Sequence, residues 1–200
     1  MYFFTHLSIA HILYQHISDE IPLEQKAFLY GNIKPDLPSS KRMHHTLENC
    51  LYKVCDEANQ IMEPDLQTYD LSVSLGEICH YVSDFFCYYH LEENLHNQNL
   101  RHFFYEIRLH LYIKWLIIRK TSTFTPLKKE PRENIPSMIL EMKKQYMAHP
   151  KSFKRDIDYA FWTSMWICQS IIYFRKYTWD FLDEVEQALE TFFLTEAGKL

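Results

Sequence analysis

Apolar residues recur at three- and four-residue intervals along nearly the whole chain, the spacing that lines one face of an α-helix. The pattern predicts helices over 5–17, with Thr5 as its cap, over 23–30, stopped by Gly31, and over 44–62, 71–89 and 100–119. Three more are predicted over 136–147, 152–177 and 179–194. Between them, 31–40 (GNIKPDLPSS) reads as an ordered loop, 92–99 as a polar turn, and 120–136, with Pro126, Pro131 and Pro136, as a long surface loop. No internal repeat or low-complexity tract breaks the pattern. The expectation is an all-α fold, a compact bundle of about seven or eight helices forming one domain over 1–200. The chemistry-bearing residues fall within 1–115, and 134–195 is a helical C-terminal portion.

Composition narrows the function. Only three glycines occur, Gly31, Gly76 and Gly198, too far apart to build a P-loop or a dinucleotide-binding turn. Their scarcity also argues against the tight hairpins of an all-β fold. Aromatics at 16% suffice for a well-filled core, and a net charge of −5 supplies no global basic field to collect nucleic acid. The N-terminus lacks the basic region of a signal peptide. Cys50, Cys55, Cys79, Cys87 and Cys168 are odd in number and show no CxxC spacing, so they read as buried thiols. Both features point to the cytoplasm. The longest uncharged run, 159–174, contains Thr163, Ser164, Gln169 and Ser170 and falls short of the roughly 20 apolar residues of a spanning helix. The anomaly is the histidine content, 11 residues.

His80 and Asp84 stand four apart, on one helix face a turn from each other, where an imidazole and a carboxylate can bind one cation. His90, six beyond Asp84, is rotated by about 240° on an ideal helix, so it serves a different site or the helix has ended before it. His102 and Glu106 repeat the four-residue spacing; with His90 they form an N, N, O set suited to zinc with one open position. Asp36 sits in the proline-fixed loop, His44 or His45 opens the third helix, and His6 lies near the start of the first. The competing explanation is a set of satisfied core histidines and ordinary hydrogen bonds. His80 and Asp84 stand among Ile78, Tyr81, Val82, Phe85 and Phe86, where an unpaired carboxylate is costly and a metal would neutralise it. Glu77-Ile-Cys-His80 and Glu93-Asn-Leu-His96 match the di-iron E-x-x-H pattern, but they lie too close in sequence to come from two facing helices. No His-Asp dipeptide occurs, which excludes the HD-type phosphohydrolases.

In order and spacing, T-His6-L, G-N-I-K-P-Asp36-L, H-His45, His80-x3-Asp84-x5-His90 and His102-x3-Glu106 resemble the zinc-dependent phospholipase C family. That family shares its fold with the zinc-dependent single-strand nucleases. The resemblance covers about residues 1–115. It implies a trinuclear zinc centre, with Asp36, His45, His80 and Asp84 on the first ion and His90, His102 and Glu106 on the second. The third would take His6 and share Asp84. It also implies that Asp36 is the acid/base carboxylate beside the metals. Secreted relatives bind the third zinc with the amine of a processed N-terminal Trp. Here Met1 stands at the same interval from His6, so its amine is a candidate ligand. Of the adjacent pair, His45 fits the family context better, through the His-x2-Glu-Asn run that follows, with His44 the alternative.

The expected function is therefore a phosphodiester hydrolase using two to three zinc ions, most simply on a phospholipid headgroup bond. A single-strand nuclease is the alternative enzyme, which the acidic net charge weighs against. A non-catalytic metal-binding or interaction module is the alternative of another class. His11, His16, His96, His110 and His149 have no place in the pattern and read as structural or surface residues. Lys114, Arg119, Lys120, Lys128, Lys129 and Arg132 form a basic cluster, either a solvated face or a dock for phospholipid headgroups or an RNA backbone. Tyr2, Phe3 and Phe4 line a pocket mouth or join the core.

Overall fold

Helices account for most of the computed structural model, which describes residues 1–38, 44–62, 66–91, 99–119 and 124–197. Among these residues there are seven α-helices and no strand: α1 Phe3–Ile17, α2 Gln25–Gly31, α3 Leu47–Gln60, α4 Thr68–Phe85, α5 Asn99–Ile118, α6 Ile135–Ala148 and α7 Phe153–Ala197. Two 3-10 turns, Lys34–Asp36 and Tyr88–His90, interrupt the connections. The all-α expectation holds; the helix ends differ. Thr5 is not a cap but lies fully buried inside the first turn of α1, which starts after Tyr2. Thr46 caps α3 instead, its hydroxyl accepting from the Asn49 N–H at 3.4 Å, so His44 and His45 precede that helix rather than open it. α4 ends at Phe85, which leaves His90 in a separate 3-10 turn. The break expected near 178 is absent, because no Gly or Pro stops α7 there, and the helix runs 45 residues. Most of the expected polar turn at 92–99, and residues 120–123, lie outside the described residues.

α4 is the central helix. It is buried almost continuously from Leu71 to Phe85, the all-round burial expected of a helix surrounded by others. α1, α2, α3 and α7 pack on it. One apolar core runs from Ile9 and Leu13 of α1 through Phe28, Leu75, Ile78, Val82 and Phe85 to Leu109, Met138, Phe161 and Met165.

α2 crosses α4 at Gly31 and Gly76, where backbone meets backbone. A Cβ on Gly31 would lie 2.1 Å from the Val73 carbonyl oxygen, and one on Gly76 2.3 Å from that of Phe28. The crossing sets Asn32 and the Lys34–Asp36 turn beside the polar face of α4. In an unobstructed helix Gly→Ala gains about 1 kcal/mol. Here we expect Gly76→Ala to lose stability by about 1–3 kcal/mol, because the added methyl must push two backbones apart. Chemical denaturation checks this. A raised midpoint would show that the helices do not touch at this point.

Candidate metal centre

Six stretches of chain meet in one polar cluster built around Asp84. Asp84, near the C-terminal end of α4, is fully buried. Its Oδ1 accepts a hydrogen bond from the Met1 α-amine and lies 3.2 Å from His6 Nε2 of α1. Its Oδ2 lies 3.0 Å from His45 Nδ1, 3.4 Å from His80 Nε2 and 3.7 Å from His90 Nδ1. Asp36 enters from the Lys34–Asp36 turn, where Pro35 fixes the backbone; its Oδ1 lies 3.7 Å from His80 Nε2 and 3.8 Å from His45 Nδ1. On the far side, Glu106 Oε1 lies 2.7 Å from His102 Nε2 and 3.1 Å from His90 Nε2. The Met1 amine reaches this side too, at 3.1 Å from His90 Nε2 and 3.3 Å from Glu106 Oε1.

His6, Asp36, His45, His80, Asp84, His90, His102 and Glu106 thus lie together, with Met1 among them. His44 takes another place: its backbone carbonyl accepts from Asn49 Nδ2 at 3.3 Å. Among the described residues three groups have donor atoms close enough to hold one ion each: His6, His80 and Asp84; Asp36, His45 and His80; and Cys87, His90 and Glu106. His80 belongs to two of them, and the His6 ring stacks on it at 4.0 Å. Cys87 was read from the sequence only as a buried thiol. Burial pushes that thiol well above its ordinary pKa.

The donor set fits a divalent cation. Burial, with His6 beside it, holds His80 well below its ordinary pKa, so the ring is neutral. Its Nδ1 faces the Asn32 carbonyl at 2.8 Å, and a carbonyl only accepts, so Nδ1 carries the proton and Nε2 the lone pair. That lone pair faces His45 Nδ1 at 3.0 Å and oxygens of Asp84 and Asp36. A single proton on His45 serves one of these acceptors; a cation in their midst serves all of them. The charges agree. Burial alone would raise the Asp84 carboxyl, but His90, the Met1 amine and His6 hold it well below the carboxylate range. Glu106 is likewise held ionised against its burial by the Met1 amine and its bonds from His102 and His90. A neutral His80 beside ionised carboxylates is the pattern of protonation that suits zinc.

A second set of groups positions these side chains. Tyr89 stacks on His102, centroids 5.4 Å apart and planes at 8°. Tyr81 meets the His45 ring edge-on, and its hydroxyl accepts from Lys53 Nζ at 2.7 Å. Asp156, fully buried at the start of α7, accepts from the Tyr88 N–H at 2.8 Å, the Tyr105 hydroxyl at 2.8 Å and the Tyr146 hydroxyl at 2.9 Å. It therefore ties the turn carrying His90 to the helix carrying Glu106.

A family model described as zinc dependent phospholipase C matches residues 5–153. The chain belongs to the zinc-dependent phospholipase C family. Membership makes it a zinc-dependent phosphodiesterase, and the match runs from α1 to the first residue of α7, beyond the 1–115 span of the motif resemblance. Eight of the converging side chains fall inside it; Met1 and Asp156 lie outside. No curated protein and no solved structure matches this phospholipase C relative.

Two surface expectations change. Lys129 Nζ and Arg132 Nη1 each bind a Glu141 oxygen at 2.6 Å, so the basic cluster is partly neutralised; Lys114, Arg119 and Lys128 are exposed, and Lys120 lies outside the described residues. His11, His16 and His149 are exposed, His110 packs edge-on to Tyr2, and His96 lies outside the described residues. Of the first aromatics, Phe4 is exposed and Tyr2 and Phe3 are half-buried.

Removing the Asp156 carboxylate strands buried donors, each worth about 1–3 kcal/mol when left unsatisfied. We expect Asp156→Ala to lose at least about 3 kcal/mol of stability on that basis and to weaken zinc at the His90 side preferentially. Thermal unfolding and metal titration of the same sample check both halves.

Proposed function

We propose that the chain hydrolyses the phosphodiester bond of a phospholipid headgroup with two to three zinc ions held around Asp84. The observation that carries this is the unprotonated His80 Nε2 facing two carboxylates, a constellation balanced by cations rather than protons. Asp36, His45, His80 and Asp84 would hold one ion, and His90, His102 and Glu106 another. His6, Asp84 and the Met1 amine would hold the third. Zinc supplies Lewis acidity, which activates water and neutralises phosphoryl charge.

The protein's own groups do the rest. Asp36 is the most exposed carboxylate of the cluster, its side chain 28% exposed against 1% for Asp84 and 13% for Glu106. It meets solvent, orients the attacking water and accepts its proton. Asp84 carries fixed charge and stays ionised. Asn32 and Tyr89 hold the His80 and His102 rings so that their nitrogens need not reorganise when the headgroup enters. A cytoplasmic setting belongs to the same proposal, on the odd number and irregular spacing of the five cysteines.

The test measures zinc content and turnover of a soluble chromogenic phosphodiester with a choline headgroup beside one with none. Turnover abolished by EDTA and restored by zinc is expected. Asp84→Asn should lose about two zinc equivalents with its helical spectrum intact, and His45→Ala should lose more zinc than His44→Ala. Full zinc content with no turnover on either substrate would leave a non-catalytic metal module.

The Met1 amine is tested separately. Protein extended by a few residues before Met1 should bind fewer zinc ions and turn over more slowly than protein with a free Met1 amine. Identical stoichiometry and rate would remove the amine from the ligand set.

A further inference from the structure

α5 has two faces. Tyr105, Leu109, Tyr112, Ile113 and Leu116 point into the molecule, while His102 and Glu106 on one edge join the metal cluster. The opposite face is apolar yet open to water. Leu100, Phe104, Ile107, Leu111, Trp115 and Ile118 follow one another at three- and four-residue spacings that keep them on one stripe, Ile107 half-buried and the others exposed. Leu100 is 75% exposed, Phe104 57%, Leu111 62% and Ile118 79%. Phe103, 51% exposed, widens the stripe, and Phe4 of α1, also 51% exposed, lies beside α5 against His110. A contiguous apolar surface of this kind on a water-exposed helix marks an interaction site.

Charge identifies the partner. The chain is net acidic at −5, but α5 and the residue after it carry Arg101, Arg108, Lys114 and Arg119, all exposed. The helix's one acidic residue, Glu106, belongs to the metal cluster. Arg101, Arg108 and Arg119 fall along one edge of the stripe, and the Arg119 guanidinium lies over the Trp115 ring at 4.7 Å. Two copies of the chain meeting through this face would bring like charges together. An anionic lipid surface takes both features at once, headgroup phosphates on the arginines and acyl chains against the stripe. Among the described residues no helix is long and apolar enough to cross a membrane, so the helix would lie in the interface.

We propose that the outer face of α5 is the surface on which the protein docks to an anionic phospholipid bilayer. The inference rests on the phospholipid substrate proposed above. It gives that reaction a geometry: with α5 flat on the bilayer, the metal cluster sits about one helix diameter, roughly 10–12 Å, above the lipid. His102 and Glu106 belong to the same helix, so docking and headgroup capture share one rigid element.

The experiment is flotation of the zinc-loaded full chain with vesicles of phosphatidylcholine alone and with about 30 mol% phosphatidylserine. Wild type should float with the anionic vesicles and bind them about tenfold more weakly at high salt. Leu111→Asp combined with Trp115→Asp should bind them about tenfold more weakly or worse. Arg101→Gln, Arg108→Gln and Arg119→Gln together should erase the preference for phosphatidylserine. Zinc content and the helical spectrum certify each variant as folded, and the arginine variant leaves the apolar stripe intact as an independent arm. Wild type that floats with neither vesicle overturns the proposal, as does binding unchanged in both variants. So does a wild-type dimer that ignores vesicles and falls apart in the aspartate variant, which would assign the face to a second copy. Flotation needs no turnover. A protein that floats but hydrolyses no phosphodiester overturns the reaction and leaves the docking face standing.

Discussion

An ionised carboxylate withdrawn from water costs several kcal/mol unless the fold surrounds it with compensating charge and donors. Asp84 is such a group, and the placement of the other site residues answers to it. No single helix could supply what it needs. The amine of Met1, His6 from α1, His45 from the approach to α3, His80 from its own helix and His90 from the following turn each reach one of its oxygens. The site is therefore a product of tertiary structure, and it exists only when these segments are packed together.

Two devices hold that packing. Gly31 and Gly76 let α2 and α4 approach to backbone contact, which fixes the Asn32 carbonyl against His80 and so decides which ring nitrogen bears the lone pair. Asp156 does the corresponding task on the other side, gathering α5, α6 and the turn of His90 through three donors. Burial pushes the Asp156 carboxyl up while the Tyr88 amide, the two tyrosine hydroxyls and Arg155 resist. Each device trades local comfort for the position of a ligand.

Helical periodicity was enough to read the fold class, and the four-residue spacings of His80 with Asp84 and His102 with Glu106 were enough to suspect ligands. The rest was less legible, for identifiable reasons. Whether His90 belonged to α4 turned on where that helix ends, and no Gly or Pro marks Phe85 as its last residue. Thr5 looked like a cap because capping residue types also occur inside helices; Thr46 performs that role for α3. Gly31 read only as a stop signal and Gly76 only as one of three scattered glycines, since a close crossing leaves no local trace. Asp156 was invisible because its partners lie far away in sequence. Lys129 and Arg132 were counted as open charges, and only three-dimensional structure pairs them with Glu141. The exposed stripe of α5 passed as ordinary helical periodicity, because spacing alone does not say which side faces the core.

The two oxygens of Asp84 address different neighbours: Oδ1 the Met1 amine and His6, Oδ2 His45, His80 and His90. Ions held on either side of one carboxylate cannot bind independently. Each draws on the same negative charge and fixes the same plane, so filling one position changes the affinity of the other by a factor that is necessarily reciprocal. Under the proposed assignment the centre loads as a linked system rather than as separate sites. Its occupancy would then follow the free zinc concentration as one linked whole rather than ion by ion.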